Sequence, residues 1–213
     1  MNKEDDYVRL AGMYDPLTAP LLRDIRNDVC VLAQSRHLGL ILDMCCGTGY
    51  QVMLLHRKGL RAIGLDISGR MLSVARKKSQ KGVAFIEGDA SHAPFRTARF
   101  AGIVVTLALH EKECGVQHRM VEEAKRLLKQ GGRIILVDYT QPLGLRARVA
   151  HGVIHLIERA AGPEHYRRFR GYLKNGGLEG LIDGHDLIPE EIRYYHFGCT
   201  KIIVARPRDP FPR

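Results

Sequence analysis

The stretch Leu38-Gly39-Leu40-Ile41-Leu42-Asp43-Met44-Cys45-Cys46-Gly47-Thr48-Gly49 decides how this chain folds. A short apolar run ends on an acid and passes directly into a turn built from two glycines and small Cys and Thr residues. By length and flanks, the run from Leu38 to Met44 reads as a buried parallel strand, and helical spacing resumes over 49–58. Two glycines let a ligand approach the backbone, and the amides at the head of a helix point toward it. Such a turn suits a nucleoside or an anion.

Working outward, Leu17, Leu21, Ile25, Val29 and Leu32 recur at helical spacing after Pro16, so 16–34 reads as an amphipathic helix. On the other side, strands at 61–65, 83–86, 101–106 and 133–138 alternate with helices at 69–80 and 115–129, and a Gly131-Gly132 turn precedes the last strand. Strands alternating with single helices mean an α/β, doubly wound, mostly parallel sheet, with its ligand crevice at the carboxyl ends of the strands. Residues 142–182 break the rhythm with two or three helices and no strand. Glu191 to Phe197 and Cys199 to Ala205 then read as two strands turning at Gly198, an antiparallel edge. One domain over 1–213 is expected, with an N-terminal helical lid at 1–36 and a helical substrate-specificity insert at 142–182.

The 213 residues carry 33 Lys+Arg against 23 Asp+Glu, a net charge of +10, and 45% hydrophobic residues, which is globular rather than disordered composition. The apolar run Ala101 to Leu109 is about half of what a membrane helix needs. Lys3-Glu4-Asp5-Asp6 stands where a signal peptide would carry a basic patch and an apolar core, so a cytoplasmic location is expected. Five cysteines, two of them adjacent and none in CxxC spacing, read as reduced thiols.

Acids recur at the strand ends. Asp66, in Gly64-Leu65-Asp66-Ile67-Ser68, closes the second strand, where a carboxylate can accept both hydroxyls of a ribose; Asp89, in Glu87-Gly88-Asp89-Ala90, closes the third, where it can accept from an exocyclic amine. Each acid alone is more often a helix cap or a turn residue. Their order is the informative feature.

With Asp43 to Gly49, Asp66, Asp89-Ala90 and Arg126-Leu127-Leu128-Lys129-Gln130-Gly131-Gly132-Arg133 in sequence, the chain resembles the class I S-adenosylmethionine-dependent methyltransferases, and among them the ubiquinone and menaquinone biosynthesis branch. The resemblance runs in motif detail from about residue 38 to 139. It implies a seven-stranded sheet of order 3-2-1-4-5-7-6 with an antiparallel C-terminal hairpin. It also implies S-adenosylmethionine as cofactor, S-adenosylhomocysteine as product, and transfer of methyl to a small-molecule or lipid-like acceptor. Carried over by position, Asp43, Cys45, Gly47 and Gly49 lie under the methionine moiety, Asp66 and Ile67 at the ribose, and Asp89 and Ala90 at the adenine. Leu107 then runs along the cofactor, and Tyr14 covers the site unless it is a core or surface aromatic. Thr106-Leu107-Ala108-Leu109-His110-Glu111 stands where quinone enzymes of the branch carry a phenylalanine-glycine-arginine-asparagine-type segment.

His110 follows the fourth strand at the crevice end and is the candidate base, with Glu111 beside it to orient the ring; the competing reading is a helix cap. The acceptor is expected to meet Tyr139, at the end of the fifth strand, and the insert residues His151, Tyr166 and Arg170. His151 and His155 are four apart and share a helix face, but no third ligand is in register, so no metal is expected.

The basic excess falls in two clusters: seven basic residues against two acidic ones over 146–174, and eight against Asp66 alone over 57–81. The second is an outer helix face. The first interleaves with Val149, Val153, Ile154, Leu156 and Ile157, as suits an anionic acceptor or an amphiphile drawn from an anionic membrane surface. Snorkelling arginines on an ordinary cover helix would look the same. Nucleic acid is a disfavoured partner, because Leu107-Ala108-Leu109-His110 replaces the polar-proline-aromatic grip on a flipped base. A nicotinamide oxidoreductase is the other rival, weakened by Val52 in place of the third small residue. A non-catalytic binding protein on the same fold is the third.

Overall fold

The computed structural model describes residues 21–142 and 144–208. Seven strands form one sheet in the order β3-β2-β1-β4-β5-β7-β6: β1 Leu40–Met44, β2 Arg61–Asp66, β3 Ala84–Glu87, β4 Phe100–Thr106, β5 Leu128–Tyr139, β6 Leu187–Tyr195 and β7 Thr200–Pro207. The first five are mutually parallel, and β7 runs antiparallel to both β5 and β6. The expected strand order and hairpin edge are therefore present.

Helix α1 is described over 21–35, and α2 Tyr50–Arg57, α3 Gly69–Lys78 and α4 Cys114–Leu127 follow the first, second and fourth strands. Alternate residues of each central strand face opposite layers. Ile41, Val104, Ile135 and Val137 join Ile25, Val29, Val52 and Leu72 from α1 to α3 on one face. Leu42, Ile103, Ile134 and Leu136 join Met120, Ala124, Phe169 and Leu178 on the other. Burial on both faces is why these strands read as unbroken apolar runs.

Four boundaries differ from the sequence reading, each for a local reason. Leu38 belongs to the end of α1: His37 adopts φ 49°, its amide bonds Gln34 and the amide of Leu38 bonds the carbonyl of Ala33. This is a Schellman closure in which Leu38 supplies the buried apolar contact. The Gly131-Gly132 turn is an irregularity within β5, whose Leu128 pairs with Phe100 before the register resumes at Gly102 and Arg133. Strand β6 starts at Leu187, with Pro189 admitted because β6 is an edge strand with a register shift there. The turn between β6 and β7 is a short 3-10 segment, His196–Gly198, with three residues at positive φ.

The insert contains three helices, α5 Leu145–Ala160, α6 Pro163–Lys174 and α7 Gly177–Gly184. Helix α6 packs on α4, α5 and α7, and the α5–α6 hairpin leans over the carboxyl ends of β4 and β5. Helix α1 is fixed by Ile25, Val29, Cys30 and Ala33, all fully buried, so over 21–35 the N-terminal segment is part of the core. Tyr14 lies outside the described residues.

Candidate active site

Strand β1 delivers Asp43, 2% exposed, and the chain then reverses into α2 through Cys45 at φ 60°, Gly47 at 53° and Gly49 at 75°. Asp66 fastens this turn to the next one. Its Oδ2 accepts the Gly47 amide at 2.8 Å and its Oδ1 accepts the Ser68 amide at 2.9 Å. The Ser68 hydroxyl in turn accepts the Met71 amide at 3.3 Å and caps α3. The two glycines have different reasons. A Cβ on Gly49 would stand 2.5 Å from the Phe85 ring and 3.0 Å from Ala75, so its bare backbone serves packing beneath the turn. A Cβ on Gly47 would meet nothing within 4 Å; its backbone is the open one.

A cavity of about 460 Å³ opens at the carboxyl ends of β1 and β4, within the size range of small-molecule sites. Leu22 and Arg26 of α1 and the turn from Asp43 to Thr48 form one wall; Thr106, Leu107, His110 and Glu111 follow β4, and Ile157, Glu158 and His165 close the far side. Leu107, at φ 50° and tied by its amide to the carbonyl of Val137 at 2.7 Å, turns the chain under this cavity. Burial pushes the Asp43 carboxyl up to about 8, partly offset by the Arg26 guanidinium, and burial pushes the Cys45 thiol up to about 12. The Cys45 thiol is inert at neutral pH. Thr106 Oγ1 and Gln51 Oε1, on residues of the cavity wall, are buried without a hydrogen-bond partner, which is the condition a polar ligand relieves.

Opposite the turn, His110 is 4% exposed and sits between two buried carboxylates. Its Nδ1 lies 2.7 Å from Asp138 Oδ1 and its Nε2 3.6 Å from Glu158 Oε2. Glu158 also meets His165 Nε2 at 2.5 Å. Burial opposes an imidazolium, but the charge and hydrogen bond of Asp138, with Glu111 and Glu158 nearby, raise the His110 ring to about 9. Burial likewise opposes ionisation of Glu158, yet the hydrogen bond from His165 and the charge of His110 hold its carboxyl below the usual range. The ring is therefore oriented by Asp138, whereas the sequence reading gave that task to Glu111. A carboxylate at the end of the neighbouring parallel strand is closer to the ring than the adjacent residue can bring its own.

The other expected site residues divide. Asp66, half-buried, adjoins the turn, and the backbone links it to Gly88 through its carbonyl at 3.0 Å. Exposed Ile67 and Asp89 and buried Ala90 lie beside it, outside the enclosed volume, on an open shelf at the ends of β2 and β3. Asp89 accepts the Ser91 amide at 2.8 Å, which holds its carboxyl below the usual range. The Tyr139 ring lies 4.8 Å from the His110 ring, tilted at 57° to it.

The insert residues expected at the acceptor sit elsewhere. His151 is buried at 4.6 Å from His155 and 6.4 Å from Phe169, Tyr166 bonds His155 Nδ1 at 2.9 Å, and Arg170 lies exposed 5.9 Å from the Tyr166 ring. These residues build the α5–α6 interface and do not line the cavity, because the helical hairpin turns their face toward Phe169. Glu158 and His165 face the cavity in their place; the sequence reading missed them in this role, and Glu158 was counted only as a charge. Their being seven apart across Gly162-Pro163, a helix break, is the one signal that pointed to them.

A profile of the methyltransferase domain family matches residues 41–132, from β1 into the irregular start of β5. Strands β2 to β4, nearly all of β1, and the acids Asp43, Asp66 and Asp89 lie within that segment. Over that segment the chain is similar to a methyltransferase domain. Over 104 residues, 48% of this chain and 44% of the relative, it is 36% identical to demethylmenaquinone methyltransferase of Thermotoga maritima. Over 145 residues, 64% of each chain, it is 35% identical to 2-phytyl-1,4-naphtoquinone methyltransferase of Thermosynechococcus vestitus. The chain thus spans less than two thirds of the length of these relatives. Among solved structures, magnesium protoporphyrin IX methyltransferase of Synechocystis, with bound S-adenosylhomocysteine, aligns with a TM-score of 0.61 at 18% identity over 85% of this chain and 81% of that one. At that identity the likeness shows the fold. The matched segment holds β2 to β4 with nearly all of β1, the β1–α2 turn and the acids after β2 and β3, whereas β6, β7 and the α5–α6 hairpin that closes the cavity lie beyond it.

Proposed function

We propose that the chain transfers methyl from S-adenosylmethionine to a small, amphiphilic acceptor. One observation carries this reading: the glycine turn after β1 and the His110–Glu158–His165 group wall a single cavity, so a cofactor on the turn and an acceptor at the histidines would meet inside it. The cofactor supplies a methyl group already activated on sulfur, so the protein's task is alignment and exclusion of water. Arg26 offers a positive charge to the carboxylate of a methionine moiety, and Asp43, which holds its proton at neutral pH in the free chain, offers the ammonium a carboxyl that ionises against it. Asp66, oriented by two amides, keeps a lone pair on each oxygen for ribose hydroxyls. Asp89 and Ala90 extend the shelf toward an adenine. His110, locked by Asp138, is the residue we assign to the acceptor; with the ring near 9 it meets the acceptor in neutral solution as a donor and a positive charge, and serves as a base only when that charge is given up.

The acceptor's amphiphilic character rests on α5. Leu145, Val149, Val153 and Leu156, spaced by four, four and three, are 56–78% exposed and form one stripe along the helix whose last turn supplies Ile157 and Glu158 to the cavity. Arg146, Arg148 and Arg159 flank the stripe. An apolar stripe between basic residues fits an anionic lipid surface and leads toward the cavity. The names of the quinone-methylating relatives point the same way. Among the described residues no helix is long and apolar enough to cross a membrane.

The test has two stages. S-adenosylhomocysteine is expected to raise the melting temperature and NAD to leave it unchanged; the reverse removes the methyltransferase reading. Incubation with S-adenosylmethionine and a membrane-lipid extract is then expected to release S-adenosylhomocysteine, with less from a water-soluble metabolite pool. Release from the water-soluble pool alone overturns the amphiphilic acceptor.

A further inference from the structure

Three groups from distant parts of the chain, His110 after β4, Glu111 beside it and His165 on α6, bring one ligand-type atom each to within 4.8 Å of one another. Glu158 of α5 adjoins the two histidines of this group, with Oε2 at 2.5 Å from His165 Nε2 and 3.6 Å from His110 Nε2. Two imidazoles and two carboxylates are the donor set of zinc and neighbouring divalent transition metals. Four such ligands at bond lengths near 2.1 Å stand about 3.4 Å apart around a tetrahedral ion. Drawing in a separation as wide as 4.8 Å takes about 1.4 Å, and parting Glu158 from His165 takes about 0.9 Å, within reach of side chains on two helices and a loop.

A second, independent feature points to the same use. Asp138 is fully buried and spends both oxygens on His110 and its surroundings: Oδ1 on the ring Nδ1 at 2.7 Å, Oδ2 on the backbone amides of Leu109 and His110 at 3.0 and 3.2 Å. A carboxylate on one ring nitrogen that leaves the other aimed at a group of donors is the arrangement by which proteins orient metal-bound histidine. The group lines a cavity from which a coordination position can be reached, as an open site requires.

We propose that His110, Glu111 and His165, with Glu158 beside the two histidines, bind one divalent transition-metal ion at the acceptor end of the cavity. The ion bonds the unprotonated Nε2 of His110, and any proton there passes to solvent. The site follows from the geometry alone. Its purpose, to hold an acceptor oxygen and favour its deprotonated form by the charge of the ion, rests on the methyl-transfer reading.

The experiment uses the full chain without a histidine tag, stripped with chelator and titrated with Co²⁺ as a spectroscopic probe and Zn²⁺ as competitor. The expected result is one Co²⁺ per chain, with the intensified visible absorption of four- or five-coordinate N/O ligation, displaced by Zn²⁺. His165→Ala and Glu111→Gln, both at partly exposed positions, are each expected to weaken binding at least tenfold, with His155→Ala unchanged. No binding at millimolar Co²⁺, an unaltered spectrum in His165→Ala, or loss of binding in His155→Ala instead overturns the proposal. Binding of S-adenosylhomocysteine, measured in chelator, keeps the two ideas apart: cofactor binding without cobalt removes the metal site only, and cobalt binding without cofactor supports the site and removes the methyl-transfer reading.

Discussion

Asp138 Oδ1 and His110 Nδ1 stand 2.7 Å apart with both side chains buried, although 28 residues separate them. Parallel pairing of β4 with β5 brings the end of β5 beside the loop that leaves β4, and the second carboxylate oxygen pins that loop by two amides. Asp138→Asn keeps the size but places an N–H against donors. It is expected to cost about 2–4 kcal/mol of stability in denaturant unfolding, because buried donors lose a charged acceptor. A loss under 0.5 kcal/mol would show that the amides find other partners.

Asp66→Ala is expected to weaken S-adenosylhomocysteine binding by about 1–3 kcal/mol in calorimetry, through loss of hydrogen bonds to a charged group and release of the Gly47 amide from its anchor. Unchanged affinity removes Asp66 from the cofactor site.

Asp43 carries a linked proton. Burial raises its folded-state carboxyl to about 8, so between its ordinary value near 4 and 8 the folded protein holds a proton that the unfolded chain has released. Stability contributed by this group is therefore lost as pH rises through that window, and Asp43→Asn should flatten the slope. If the ammonium of the methionine moiety lies against Asp43, binding of S-adenosylhomocysteine at pH 7 in chelator releases a proton. Binding enthalpies compared across buffers of different ionisation heat would measure that release, and identical enthalpies argue against the contact.

Gly49→Ala and Gly47→Ala separate packing from backbone freedom. Both residues have positive φ, which costs a side chain about 1 kcal/mol, but only the Cβ at residue 49 meets Phe85 and Ala75. Gly49→Ala is expected to lose about 2–4 kcal/mol and Gly47→Ala about 1 kcal/mol, with the former partly restored by Phe85→Leu. Equal losses would place the whole effect in φ.

Val149→Asp and Leu156→Asp on the exposed face of α5 are expected to change the melting temperature little, because neither side chain is buried. Both should reduce cosedimentation with vesicles containing anionic phospholipid, and binding by the unaltered chain should fall as salt rises. Vesicle binding that ignores both substitutions would move the lipid contact away from α5.

What the sequence determined by itself is local or periodic. The alternation of apolar runs with helical spacing, the Asp43-to-Gly49 turn and the acids closing β2 and β3 all follow from side-chain period and turn chemistry within a few residues, and resemblance then supplied the strand order. Tertiary structure decided which distant side chains share a site. His110, Asp138, Glu158 and His165 meet only because β5 pairs beside β4 and the α5–α6 hairpin folds over their ends. The same hairpin turns His151 and Tyr166 toward Phe169, a choice of helix face that spacing leaves open. Gly49 tells the same story in miniature: its presence in a turn is legible, but its necessity comes from Phe85, a residue brought underneath it by a strand two places away in the sheet.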